Sequence, residues 1–81
     1  MTARRVTLAP SGLSPAQARG LARRAYGRAR GSGALAPVLI DNVWTRVLLA
    51  VDGQPAEVQA ELFRRCEHWM VLVEDMSQWP R

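Results

Sequence analysis

The densest cluster of side chains that could bind a ligand in this sequence consists of arginines. Five arginines fall within twelve consecutive residues without a single acid among them: Arg19, Arg23, Arg24, Arg28 and Arg30. A guanidinium group binds phosphate oxygens in a forked geometry, and phosphate contacts supply most non-specific nucleic-acid affinity. Tyr26 lies among these arginines, and its ring is of a type that stacks on a base. The pattern predicts a phosphate-binding surface, extended by Arg4 and Arg5 near the N-terminus.

The charge of the chain is distributed unevenly. Residues 1–40 carry seven Arg and no acid, whereas residues 41–81 carry four Arg and all seven acids, so the net charge of +4 divides into +7 and −3. Two other interpretations of the basic stretch remain open. It is either the solvated face of an amphipathic helix, or a docking surface for an acidic protein, including the acidic third helix of another copy.

Catalytic and metal-binding patterns are missing from the sequence. Its one cysteine, Cys66, and its one histidine, His68, are two residues apart, so on a helix they point in different directions. A zinc site needs three or four ligands. The sequence also contains neither a phosphate-binding glycine loop nor a nucleophile elbow. We therefore predict a protein that is not an enzyme and has no metal or cofactor, in which Cys66 packs and His68 is solvated.

The arginine-rich stretch is predicted to be the first of three helices, over residues 14–30. Ser14-Pro15-Ala16-Gln17 combines an N-cap, a proline at the first helical position and a glutamine three residues after the cap. Gly31-Ser32-Gly33 ends the helix. Its inner face is a stripe of mainly small residues, which lets a neighbouring helix approach closely: Ala18, Leu21, Ala22, Ala25 and Ala29.

Residues 36–52 are predicted to form a second, strongly apolar helix that starts near Pro37. One broad face contains most of its large side chains: Ile40, Val43, Trp44, Val47, Leu48 and Val51. The alternative is a β-hairpin near residues 38–51 with a turn at Asp41-Asn42, since Val and Ile favour strands. The unbroken apolar run from Val47 to Val51 does not alternate, so its length and period favour a helix.

The third predicted helix, over residues 55–76, is the longest. Its apolar residues recur at steps of three and four, as a helix with one buried stripe requires: Val58, Leu62, Cys66, Trp69, Val73 and Met76. The connection through Gly53 and Pro55 is so short that helices two and three must be antiparallel neighbours. The predicted fold is an all-α three-helix bundle over residues 14–79, with a helix 2–helix 3 hairpin, a basic first helix and a flexible arm over residues 1–13.

The leading functional hypothesis is a small regulatory or nucleic-acid-binding protein that holds phosphates through its first helix. The second hypothesis is a protein–protein interaction module, such as an adaptor, chaperone or inhibitor, with a partner interface at Trp44, Leu48, Trp69 and Trp79. A small core favours self-association, and we expect a homodimer. The sequence has neither a signal peptide pattern nor an apolar run long enough to cross a bilayer, so we expect a cytoplasmic protein without membrane or small-molecule ligands.

Overall fold

A computed structural model describes residues 12–76, and within this range the chain forms three α-helices and no β-strand. Helix α1 spans Pro15–Ser32, α2 spans Pro37–Val51 and α3 spans Ala56–Met76. The predicted all-α three-helix bundle is confirmed. The alternative hairpin near residues 38–51 is wrong, because the proline at position 37 starts a helix that the continuous apolar run then extends.

The capping signals of α1 operate as the sequence predicts. Ser14 Oγ accepts a hydrogen bond from the Gln17 amide at 3.2 Å, and Gln17 Oε1 accepts one from the Ser14 amide at 2.9 Å. This reciprocal pair satisfies two amide donors that a helix start otherwise leaves unpaired. The helix ends two residues later than predicted, since the Ser32 hydroxyl donates to the Ala29 carbonyl at 2.8 Å and Gly33 adopts the left-handed conformation.

The link from α2 to α3 is a tight connection. The Asp52 amide donates to the Leu49 carbonyl at 3.3 Å, and the Gln54 amide donates to the Val51 carbonyl at 3.1 Å. Gly53, with φ of 77°, supplies the left-handed residue between them. The Pro55 carbonyl then accepts hydrogen bonds from the Val58 and Gln59 amides in the first turn of α3, both at 3.0 Å. Because four residues join the two helices, α2 and α3 are antiparallel.

Contacts at both ends of the bundle fix the direction of α1. Near its C-terminal end, Arg28 pairs with Glu74 late in α3, while Tyr26 bonds Asp41 early in α2. Near its N-terminal end, α1 lines one cleft together with Val51 at the end of α2 and Gln59 early in α3. Helix α1 is therefore parallel to α3 and antiparallel to α2.

The most extensive packing in the bundle joins α1 to α3, rather than α2 to α3, the pair that the sequence predicted as an antiparallel hairpin. Four alanines of α1, which are almost completely buried, form the α1 side of this contact: Ala18, Ala22, Ala25 and Ala29. Side chains this small let the backbones approach closely, whereas α2 approaches through the larger Ile40 and Trp44.

The buried face of α3 differs from the predicted stripe. Cys66 and Val73 are buried as predicted, but the other buried positions are Ala60, Phe63 and Met70. Three members of the predicted stripe are only half-buried and flank this centre: Val58, Leu62 and Trp69. A helix that packs against two neighbours has a wider apolar face than one stripe, and Phe63 and Met70 take the space left by the α1 alanines.

Some predicted features fall outside the described residues. They include most of the predicted arm at 1–13, the domain end at residue 79 and the side chain of Met76. Within the arm, Leu13 is half-buried and packs against the core, so the folded part of the chain includes the residue before the Ser14 cap.

Candidate nucleic-acid interface

The five arginines of α1 divide into two groups with different surroundings. Arg19, Arg23 and Arg24 are exposed, and within the described chain their side chains have neither an ion pair nor a hydrogen bond. Arg28 and Arg30 are paired with acids of the other helices. Among residues 12–76, the part of the predicted surface without paired acids is therefore the N-terminal half of α1, and we call Arg19, Arg23 and Arg24 the open arginines.

Arg28 and Arg30 contribute to contacts between helices. Arg28 Nε lies 3.0 Å from Glu74 Oε1 on α3, and Arg30 Nε lies 3.1 Å from Asp41 Oδ1 on α2. Both pairs are at least a third exposed, where an ion pair stabilises a fold by about 0–1 kcal/mol. The positive charge of each guanidinium is nevertheless matched within the chain, so these two arginines are weaker candidates for binding phosphate.

Tyr26 has an internal role in the structure. Its hydroxyl donates a hydrogen bond to Asp41 Oδ1 at 2.6 Å, and its ring stacks on Trp44 with centroids 5.4 Å apart. The bond to Asp41, together with burial, raises the pKa of the Tyr26 phenol above its usual 10.0. The Tyr26 ring, which the sequence predicted would stack on a base, is thus stacked on Trp44 of α2.

The open arginines border two adjoining clefts. The larger one, of about 630 Å³, has Arg19 and Arg23 at its rim and the buried side chains of Val51 and Phe63 beneath, with Gln59 beside them. A smaller cleft of about 390 Å³ lies between Gly20, Arg23 and Arg24 on the outer side of α1. Gly20 has no neighbouring side chain within 4 Å of where its Cβ would lie, so the space between the arginines is open.

The start of α1 adds to the positive character of this surface. Pro15 and Ala16 line the larger cleft together with Arg19, and the first turn of α1 contains no acid. The amino end of a helix carries a partial positive charge. Three guanidinium groups and this dipole therefore act in the same direction, which favours an anion with several oxygens, such as a phosphate backbone.

The aromatic residues predicted for a protein interface mostly serve the core. Trp44, Leu48 and Trp69 are half-buried and pack against the buried cluster. Trp44 lies between Tyr26 and Phe63, with a centroid distance of 6.1 Å to Phe63. The structure does not describe Trp79, or Arg4 and Arg5 of the predicted phosphate surface.

Several large apolar side chains are exposed, which the sequence-based prediction did not include. Val38, Leu39 and Leu49 on α2 and Leu72 on α3 are between 44% and 72% exposed. Of the fifteen residues of α2, only Ile40 and Val51 are buried. The signal was present in the sequence, since α2 has apolar residues on the side opposite its predicted core face.

The remaining reactive side chains do not converge on a site. Burial raises the pKa of the Cys66 thiol from 9.0 to about 11, with a smaller contribution from Glu67. His68 is exposed beside Glu61 and Arg64 on the outer surface of α3. Among residues 12–76, no group of three or more His, Cys, Asp or Glu side chains is placed to hold a metal ion.

No helix in the described part of the chain is both long and apolar enough to span a bilayer. Comparisons of the chain with protein-family models, curated proteins and solved structures give no match.

Proposed function

We propose that this protein binds nucleic acid by contacting its phosphate backbone with Arg19, Arg23 and Arg24. The observation that carries the proposal is the absence of any ion pair to these three side chains within the described chain, although acids do pair with Arg28 and Arg30. Of the four arginines in the described chain that lack an ion pair, three lie on one half of α1 and the fourth is Arg46 on α2, and a solvated face alone does not explain this clustering. Phosphates of a nucleic acid would neutralise all three charges together.

The recognition expected of such a surface is independent of sequence. Only three arginines project from this half of α1, and the aromatic ring near them is stacked on Trp44. Contacts to phosphate position a protein on nucleic acid without reading its bases. We propose a role in non-specific or regulatory binding, in which affinity depends on ionic strength.

A salt titration tests this proposal. Each phosphate contact on duplex DNA contributes about 0.9 to the slope of log affinity against log salt. Changing Arg19, Arg23 and Arg24 together to Gln should lower the affinity at low salt and reduce the slope by about 2–3. Fluorescence anisotropy with a labelled duplex and a labelled single strand measures both quantities.

The chain offers a control with the same change in net charge. Arg30, Arg64 and Arg65 all have acidic partners, Asp41 for the first and Glu61 for the other two. A triple Gln variant at these positions should retain most of the affinity and slope. Equal losses in the two triple variants, or binding by the native chain that does not respond to salt, would contradict the proposed surface.

A second candidate function is a protein–protein interaction module, as the exposed apolar side chains of α2 suggest. Leu49 is 72% exposed and Val38 is 65% exposed, although both belong to a helix rather than to a loop. An apolar helix face that remains in water is typical of an interaction site. The two functions use side chains of different helices, α1 and α2, and are compatible.

A further inference from the structure

We infer that the outer stripe of α2 is a homodimer interface, in which α2 of one copy packs antiparallel against α2 of a second copy. The outer stripe consists of Leu39, Asn42, Arg46 and Leu49, all of which are exposed. Their steps of three, four and three residues place them on one side of the helix, as in the seam of a coiled coil. This inference goes beyond the proposed nucleic-acid binding and does not depend on it.

The outer stripe is self-complementary about residue 44, as a twofold contact requires. Counted from residue 44, Leu39 and Leu49 lie five positions before and after, while Asn42 and Arg46 lie two before and after. In a symmetric interface, a residue i that contacts j of the second copy is matched by j contacting i. An antiparallel pair centred at residue 44 therefore places leucine against leucine at both ends.

The centre of the same arrangement pairs two polar groups that complement each other. Asn42 faces Arg46 of the second copy, and its side-chain oxygen accepts a hydrogen bond from a guanidinium donor. The arrangement occurs twice by symmetry. A polar residue within such a seam fixes the register of the two helices, because sliding them would leave buried donors and acceptors unpaired.

The outer stripe contains a cleft into which a side chain of a facing helix can pack. A cleft of about 460 Å³ is lined by Leu39, Asn42, Val43 and Arg46, with Thr45 beside them. The first four are residues i, i+3, i+4 and i+7 of a helix, the set that forms the hole for a side chain from a partner helix. At this level the second copy presents Arg46, whose aliphatic stem can lie along Leu39 and Val43.

Charge favours α2 over the other helices for contact between identical copies. Helix α1 carries five Arg and no acid, and α3 carries five acids and two Arg, so each repels its own counterpart in a symmetric contact. Helix α2 carries one acid and one Arg, and the acid, Asp41, is paired with Arg30 of α1. The outer stripe thus brings together only the two Arg46 charges, which is less like charge than a symmetric contact through α1 or α3 would bring together.

Sedimentation equilibrium of the full chain tests this interface. The native chain should form a dimer of twice its 9.0 kDa mass at about 100 μM. Leu39→Glu and Leu49→Glu should each raise the dissociation constant at least about tenfold, since symmetry removes two buried leucines per substitution. Circular dichroism should show an intact helical bundle in both variants, because Leu39 and Leu49 are exposed in the monomer and do not contribute to its core.

Leu72→Glu is the matched control, because Leu72 is 47% exposed but lies on α3, outside the outer stripe. It should leave the dimer intact. A native chain that stays monomeric would overturn the inference, as would a dimer that Leu72→Glu disrupts and Leu39→Glu does not. A dimer abolished by the triple Gln variant of the open arginines would instead indicate docking of α1 on α3 of another copy.

Cysteine cross-linking tests the antiparallel register separately. A mixture of the Leu39→Cys and Leu49→Cys variants should form a disulfide between copies on oxidation, whereas each variant alone should cross-link far less. The native chain controls for Cys66, which is buried. Efficient cross-linking of Leu39→Cys with itself would show parallel helices and overturn the proposed pairing. Neither experiment involves nucleic acid, so failure here leaves the phosphate-binding proposal unaffected, and the reverse also holds.

Discussion

The Tyr26 hydroxyl donates a 2.6 Å hydrogen bond to Asp41 Oδ1, the same oxygen that lies 3.1 Å from Arg30 Nε. This cluster joins the C-terminal half of α1 to the beginning of α2. The connection matters because α2 has no side-chain cap at its start and only two buried residues. The stacking of Tyr26 on Trp44 reinforces the same junction.

Tyr26→Phe should lower the free energy of unfolding by about 1 kcal/mol, because it removes one partly buried hydrogen bond and keeps the stacked ring. Tyr26→Ala should lower it further, by about 2–3 kcal/mol, since the ring packing is lost as well. Urea unfolding followed by circular dichroism measures both values. Equal stability of the native chain and Tyr26→Phe would mean that water replaces the bond to Asp41 without loss.

Alkaline pH should destabilise the fold through Cys66. Burial raises the pKa of the folded thiol to about 11 from an ordinary 9.0, so the folded state holds this proton more tightly than the unfolded state does. The resulting stability is complete below pH 9.0 and is lost as the pH rises towards about 11. The raised pKa of Tyr26 acts in the same direction, beginning near its usual 10.0.

Cys66→Ala isolates the thiol contribution. At neutral pH this variant should be about 1 kcal/mol less stable, because it leaves a small cavity in the core. The difference from the native chain should narrow as the pH approaches about 11, since the variant has no thiol to ionise. Urea midpoints over this range provide the measurement, and a constant difference would contradict the assigned pKa.

The alanine stripe of α1 should resist enlargement. Ala22 is completely buried where α1 meets α3, so Ala22→Leu forces the two helices apart and should reduce stability by about 1–3 kcal/mol. Ala16→Leu is the control, because Ala16 is an exposed residue of the same helix and its change should stay within about 0.5 kcal/mol. Similar losses in both variants would show that helix propensity, rather than close packing, requires alanine.

Local signals predicted the helices well. The Ser14 cap, Gly33 after α1 and Pro55 before α3 act through neighbours in the sequence, and each marks a helix end that the structure shows. The core face of α3 was harder to predict, because Leu62 and Phe63 are adjacent and helical period alone accepts either as central. Which of the two is buried at the centre depends on α1, because its alanines leave room for Phe63.

The candidate site was predicted as one surface, and long-range contacts divide it. Arg28 pairs with Glu74, which is 46 residues away in the sequence, and Tyr26 bonds Asp41, which is 15 residues away. Rules based on residue spacing do not predict contacts over such separations. The open arginines were identified in the sequence, but the sequence did not show which arginines of α1 would be paired with acids. The exposed stripe of α2 was visible too, since Leu39 and Leu49 lie opposite the predicted core face.

The open arginines should reduce the stability of the helix that carries them. Arg19 and Arg23 are four residues apart on α1, and like charges at this spacing destabilise a helix by about 0.2–0.5 kcal/mol. Arg23→Gln should therefore raise the free energy of unfolding by a few tenths of a kcal/mol at low salt, and the gain should vanish at high salt.

Arg65→Gln is the matched comparison, because Arg65 Nε lies 3.0 Å from Glu61 Oε2 and its loss should lower stability slightly. Urea unfolding at two salt concentrations, with nucleic-acid affinity measured on the same samples, separates the two effects. Stability gained together with affinity lost would show that Arg23 serves binding rather than folding, whereas a loss of stability in Arg23→Gln equal to that in Arg65→Gln would assign it a structural role.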